Sequence, residues 1–187
     1  MKIFTTTILT MLVSLTAISQ NQADSGFTNK TEAQNKIVNG KKEGKWLEYE
    51  EVDSNYERVT KDTNAPMYRL AIYKAGKPVG VEREYYKDGK LEGSVYFSNG
   101  KQNGVGKVYY ENGKLALENA LKDGERNGML KIYYQNGKVK MECNFVNDKM
   151  VGVAKEYYES GKIKNETTYK KGKIVSAISY DENGNKM

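Results

Sequence analysis

Histidine is missing from the 187-residue sequence, cysteine occurs once, at Cys143, tryptophan once, at Trp46, and proline twice. Without histidine the chain lacks the commonest general base near neutral pH and the commonest zinc ligand. A single cysteine cannot close an intramolecular disulfide, and a thiol needs a base or another pKa-lowering setting to become a nucleophile. No cofactor, metal or catalytic residue set is therefore expected, and the chain does not read as an enzyme. Long apolar runs are also lacking. The longest apolar stretch, residues 3–18, contains six Ser or Thr and is shorter than the roughly 20 apolar residues a membrane-spanning helix needs.

That stretch follows Lys2, and Ala17 and Ser19 put small residues before a cut at Gln20, the pattern of a cleavable signal peptide (1–19). The expected destination is the periplasm or the extracellular space. Losing Lys2 lowers the net charge of +6 by one. Lys and Glu alternate along the rest instead of clustering, so a nucleic-acid partner is not expected.

What is abundant is glycine, 18 residues, and tyrosine, 15. They recur with a period of 24 residues: Gly76, Gly100, Gly124 and Gly172, with Asp148 in the missing step; Gly80, Gly104, Gly128 and Gly152; the tyrosine pairs 85–86, 109–110, 133–134 and 157–158; and Gly89, Gly113, Gly137 and Gly161. Regular units thus cover 76–99, 100–123, 124–147 and 148–171. A degenerate first copy (39–75) carries a 12-residue insertion within residues 50–66, and a frayed last copy (172–187) ends the chain. Residues 20–38 read as a flexible polar lead-in, with a short helix around residues 31–37.

Alternation of period two inside each unit predicts strands. Asp88-Gly89, Asn112-Gly113 and Asn136-Gly137 predict two-residue type I′ hairpin turns, with Ser160-Gly161 a weaker copy. In the third unit this register pairs Tyr134 with Val139, Ile132 with Met141 and Leu130 with Cys143 on an apolar side. It pairs Lys131 with Glu142 and Tyr133 with Lys140 on the other side, and likewise Lys107 with Glu118 and Lys155 with Glu166. Four-residue loops between units would set Phe97 opposite Gly104, Leu121 opposite Gly128 and Phe145 opposite Gly152, where a ring covers a bare strand glycine. The expected fold is all-β, an elongated antiparallel meander of hairpin repeats in one sheet, growing by about 10 Å per unit.

The run Tyr110-Glu111-Asn112-Gly113-Lys114-Leu115, followed 11 residues later by the Gly-x-x-x-Gly of Gly124 and Gly128, resembles the bacterial MORN-repeat variant of the YwqK-type antitoxin family. The resemblance covers residues 40–187 and implies a non-catalytic interaction scaffold, with an antitoxin or immunity-like role among the possibilities. The leader and the insertion depart from that pattern.

Several candidate sites have plainer roles. Cys143 falls on the apolar side opposite Ala154, the place of a buried thiol. The glycines at 100 and 104 lack the strand-to-helix transition of a phosphate loop. Glu84 and Glu156 share the apolar side but lie in separate units, too far apart for a glycosidase pair. The second tyrosines, Tyr86, Tyr110, Tyr134 and Tyr158, read as packing. The first, Tyr85, Tyr109, Tyr133 and Tyr157, with Lys107, Lys131 and Lys155, form a candidate interaction face, because tyrosine is enriched at protein interfaces; Trp46 caps the sheet end or anchors a partner. The leading expectation is a secreted or periplasmic scaffold binding a protein; the alternative ligands are envelope glycan or anionic lipid.

Overall fold

The structure, a computed structural model, describes residues 27–52, 58–59 and 65–187; the leader, its cleavage site and most of the insertion lie outside the described residues. Apart from a 3₁₀ turn at Lys30–Glu32, regular structure among the described residues is all strand: β1 (Lys36–Val38), β2 (Lys41–Val52), β3 (Arg58–Val59), β4 (Met67–Lys74), β5 (Lys77–Tyr86), β6 (Leu91–Ser98), β7 (Lys101–Tyr109), β8 (Leu115–Lys122), β9 (Glu125–Tyr133), β10 (Val139–Val146), β11 (Lys149–Tyr157), β12 (Ile163–Lys170) and β13 (Lys173–Ser179). They form one open antiparallel sheet in chain order, with β3 paired onto the far end of β2. The expected meander of two strands per unit is what forms. The short helix expected at residues 31–37 does not: the chain leaves the 3₁₀ turn and enters β1.

Hairpin pairing within a unit follows the expected register, with Ile132 opposite Met141, Lys131 opposite Glu142 and Leu130 opposite Cys143. The turn closing it is of another kind. Asp88, Asn112 and Asn136 are not among the positive-φ residues, whereas Gly89, Gly113 and Gly137 have φ of 88°, 79° and 88°. In the third unit Gly137 N–H donates to Tyr134 O, and Tyr134 N–H donates to Lys138 O. Asn136 Oδ1 accepts the Lys138 N–H at 2.9 Å, so the asparagine side chain stabilises a turn with only its glycine left-handed. A bulge follows, and Val139 faces Tyr133 rather than Tyr134, so Tyr133 does not face Lys140.

Type I′ turns occur instead between units, where both central residues have positive φ: Asn99 51° and Gly100 80°, Asp123 52° and Gly124 89°, Asn147 48° and Asp148 60°. These loops hold two residues, not four, and Ser98 pairs directly with Lys101. The two residues saved return as a bulge around Gly104, whose φ is 79°, and the register shifts between Ser94 and Tyr96. Past that bulge the pairing is the one a four-residue loop would give, Ser94 with Lys107. Near the turn it is not. Phe97 faces Gly80 and Gln102, Leu121 faces Gly104 and Arg126, and Phe145 faces Gly128 and Met150. The ring-over-glycine pairing therefore belongs to the same unit, not the next one.

Both rims tie each unit to its neighbour. On one rim the second tyrosines donate to the backbone one unit on: Tyr134 Oη to Tyr157 O at 2.6 Å, Tyr158 Oη to Tyr180 O at 2.8 Å, Tyr86 Oη to Tyr109 O at 3.4 Å, and Tyr110 Oη to Tyr133 O. On the other rim each turn amide donates back to the previous unit, as Gly124 N–H does to Gln102 O at 2.9 Å. Contacts only between neighbours are the mark of a one-dimensional stack.

Cys143 (2 % exposed), Phe145 (2 %) and Ala154 (6 %) are buried on one face with Leu130, Met141, Met150 and Tyr169 packed around them, although no second layer among the described residues covers them. Side chains on a single sheet reach such burial on its concave side, and a bulge in every unit supplies the bend. This is the inner face. The outer face of the first copy has its own cover: Phe27, fully buried, packs with Tyr68 and Leu70, ringed by Leu47, Tyr49, Ile72 and Tyr85. Arg83 Nη1 donates to Phe27 O at 3.2 Å, and the Asn35 side chain bonds both the N–H and the carbonyl of Leu47. From Phe27 on, the expected lead-in is thus part of the fold, anchored by its one aromatic residue.

Substituting Gly113 (φ 79°, nothing within 4 Å of a built Cβ) by alanine should cost about 1 kcal/mol, the left-handed penalty. Gly128→Ala meets the Ala120 Cβ at 2.8 Å and should cost about 3 kcal/mol or more. Urea unfolding of the two variants measures the gap, and equal costs would show that the bulge is not tightly packed.

Candidate functional site

Two surfaces carry the residues with chemistry. On the outer face, cross-strand pairing links Lys107, Glu118, Lys131, Glu142, Lys155 and Glu166 into one row of alternating charge running across strands β7 to β12. The hairpin arithmetic found the pairs inside units; the pairing between units makes the row continuous. Lys155 Nζ comes within 3.9 Å of Glu166. The carboxylates of Glu118 and Glu142 accept instead from Tyr133 Oη and Tyr157 Oη, each at 2.7 Å, and Glu166 accepts from Tyr180 Oη at 3.0 Å. Ser94 stands where Tyr109 would need the corresponding glutamate, 24 residues before Glu118. Tyr85 stacks on Tyr68, centroids 5.0 Å apart, under the Phe27 cover.

The first tyrosines and the three lysines thus share the outer face. Trp46 does not. It alternates with Leu47 onto the inner face, edge-on to Tyr73 at 6.1 Å, and its Nε1–H donates to Glu43 O. Pattern reading missed a third outer row, Val105, Met129 and Val153, between 46 and 52 % exposed. Each follows a lattice glycine and lies two residues before a ladder lysine, a 24-residue spacing visible in the sequence.

On the inner face of the first copy lies a buried ionic network. Glu48, 2 % exposed, accepts from Arg69 Nε at 3.1 Å, Arg69 Nη2 at 2.6 Å, Tyr73 Oη at 3.1 Å and Lys42 Nζ. Arg69 Nη1 also lies 3.6 Å from Glu82. Burial alone would raise the Glu48 pKa, but Lys42 and Arg69 outweigh it and hold the carboxyl below its usual range. Next to this network the inner face opens into a groove of about 350 Å³. Gly93 and Gly106 lie at its base, Val95, Phe97, Leu117 and Leu121 line it, and Glu82, Glu84 and Asn119 supply polar edges. Glu84 is thus beside Glu82 and Arg69. Glu156 is elsewhere, held by Asn165 Nδ2 at 2.7 Å, and the two form no carboxylate pair. Cys143 is buried as expected, which pushes its thiol pKa up. Among the described residues no group of three or more Cys, Asp or Glu is placed to hold a metal ion, and no helix is long and apolar enough to cross a membrane.

A single curved sheet of hairpin units, each stitched to the next, defines the class: a tandem-repeat β-scaffold. Residues 78–101, 102–119, 126–147 and 150–171 match the family described as the MORN repeat variant, and the chain is a MORN-repeat protein. No curated protein matches it. Repeats of this family are commonly non-catalytic modules.

Burial, then the Glu118 and Glu142 carboxylates, push the hydroxyls of Tyr133 and Tyr157 up to about 12, above the ordinary tyrosine value near 10. Their contribution to stability is complete below pH 10 and is lost as pH rises toward 12. Phenolate absorbance should show Tyr133 ionising late, and earlier in Glu118→Gln. Unchanged titration in that variant would mean the carboxylate does not act on the ring.

Proposed function

We propose that this protein is a non-catalytic scaffold, exported by its leader, that binds a protein partner through the outer face of its regular units. The observation that carries the reading is the exposed row Val105, Met129 and Val153 beside the alternating charge ladder. Apolar side chains bordered by polar groups are the usual make-up of a protein-binding patch. No layer among the described residues lies over the regular units there, whereas Phe27 and Ala33 cover the first copy.

Anionic lipid suits this face less well, because Lys131 and Lys155 each stand opposite glutamates on both sides, Lys107 stands opposite Glu118, and three lysines against three glutamates leave the row little net charge. Glycan stacking is disfavoured too, since the hydroxyls of Tyr133 and Tyr157 are committed to glutamates. An antitoxin-like role would be one form of protein binding, and the same experiment tests it.

Wild-type protein and the Val105→Glu, Met129→Glu, Val153→Glu triple variant should be immobilised and exposed to envelope extract, after circular dichroism confirms that both fold alike. The wild type should retain a partner that the variant loses. Equal recovery from both surfaces would remove the outer face from consideration. Mass analysis of the exported protein should place its first residue at Gln20; an intact leader would refute export by cleavage.

A further inference from the structure

The groove on the inner face interrupts an otherwise filled apolar row, and the interruption has a specific cause. Gly93 stands where the next two units carry Leu117 and Met141, and Gly106 where they carry Leu130 and Ala154. In the later units Leu130, Met141 and Ala154 pack around Cys143 and Phe145. Here both glycines are buried, and a Cβ on Gly106 would come within 3.3 Å of Leu121 Cδ1 and 3.6 Å of Val95, so the groove keeps its floor bare and any side chain there would intrude on its walls. Its volume, about 350 Å³, falls at the small end of the range of ligand sites.

A second, independent observation marks the same place. Asn119 lines the groove in a position held by Val95 and Cys143 in the units on either side, and its Oδ1 is buried with no donor among the described residues. A polar side chain kept in an apolar row at the cost of an unmet hydrogen bond is more costly than the valine one unit earlier, and such departures concentrate where a surface serves binding.

We infer that this groove is a binding site for an aliphatic ammonium group, an amine on an apolar stem. The stem lies over the Gly93 and Gly106 backbone between Phe97 and Leu121, and the ammonium donates to the carboxylates of Glu82 and Glu84. Both carboxylates keep accepting capacity when ion-paired, because an ionised carboxylate offers about four lone-pair sites. Arg69 does not reverse this preference, since its guanidinium is directed at Glu48 and Glu82. A ligand with a carboxylate end would meet acceptors with an acceptor. The inference is independent of the outer-face reading, which uses the opposite side of the sheet.

Calorimetry on the whole mature protein with three probes sharing one ring tests it: cyclohexylmethylamine, cyclohexylmethanol and cyclohexanecarboxylate. The amine should bind at least roughly tenfold more tightly than the carboxylate, with the alcohol between them, as charge-assisted bonds exceed neutral ones. Glu84→Gln should bring the amine close to the alcohol. Gly106→Leu, a residue the next unit accepts at Leu130, should abolish binding in protein that circular dichroism shows to be folded, with the melting temperature lowered as Leu121 gives way. Three equal affinities, no binding to wild type, or full amine binding by folded Gly106→Leu would each overturn the site; the probe comparison on wild type needs no variant to fold. Nα-acetyl-lysine methylamide forms a further arm. Its binding assigns the ammonium to a lysine side chain of a protein, and its exclusion beside a bound free amine assigns it to a small molecule.

Discussion

A sheet with no second layer can bury a face only by bending toward it, and the rest of this molecule follows from how the bend is made. Each unit passes the chain through a two-residue turn with both φ values positive and then through a bulge at a left-handed glycine. The extra residues on one strand make its path longer than its partner's, and such a bulge bends and twists the sheet. Side chains on the hollow side meet one another and reach core-like burial at Cys143, Phe145 and Ala154. Without the curl the same residues would stand in a flat row exposed to water.

The curl has a consequence for cohesion. Because neighbours touch only neighbours, nothing holds a distant unit in place, and the rim bonds take that role: tyrosine hydroxyls reach one unit forward, turn amides one unit back. At the N-terminal end a different device operates. The segment from Phe27 packs on the outer face and supplies an aromatic plug, so at this end of the sheet side chains are buried on both faces. The buried Glu48, Arg69 and Tyr73 network lies on the inner side of that same end, where burial is deepest and a charge must be paired to be tolerated.

Much of this was legible before any fold was known. Two-residue alternation and a 24-residue period sufficed for the strand order and for Lys131 opposite Glu142, because both depend on contacts close in sequence. The turn types were exchanged: Asn-Gly is compatible with a type I′ turn and also with a type I turn plus a left-handed glycine, and the Asn136 side chain bonding Lys138 N–H selects the latter. Phe27 was passed over because one aromatic among polar residues has no period to betray it. The groove was invisible for a related reason, since Gly93 and Gly106 look like ordinary strand glycines until the side chains missing beside them are seen together. The exposed valines and Met129 lie on the same lattice, but a period gives the spacing of a row and not which face of the sheet is left without a cover.

The all-strand meander, the hairpin register and membership of a repeat class were set by residues a few positions apart, where local sterics and cross-strand pairing decide the outcome. Which face became the hollow one, how the Lys and Glu pairs joined into a continuous row, what plugged the N-terminal end and where space opened in the apolar face were settled only when units were stacked. These properties depend on contacts between units, 13 residues apart for Glu118 and Lys131 and farther for Phe27, and on the summed curvature of many small bends, and no short window of sequence contains that sum.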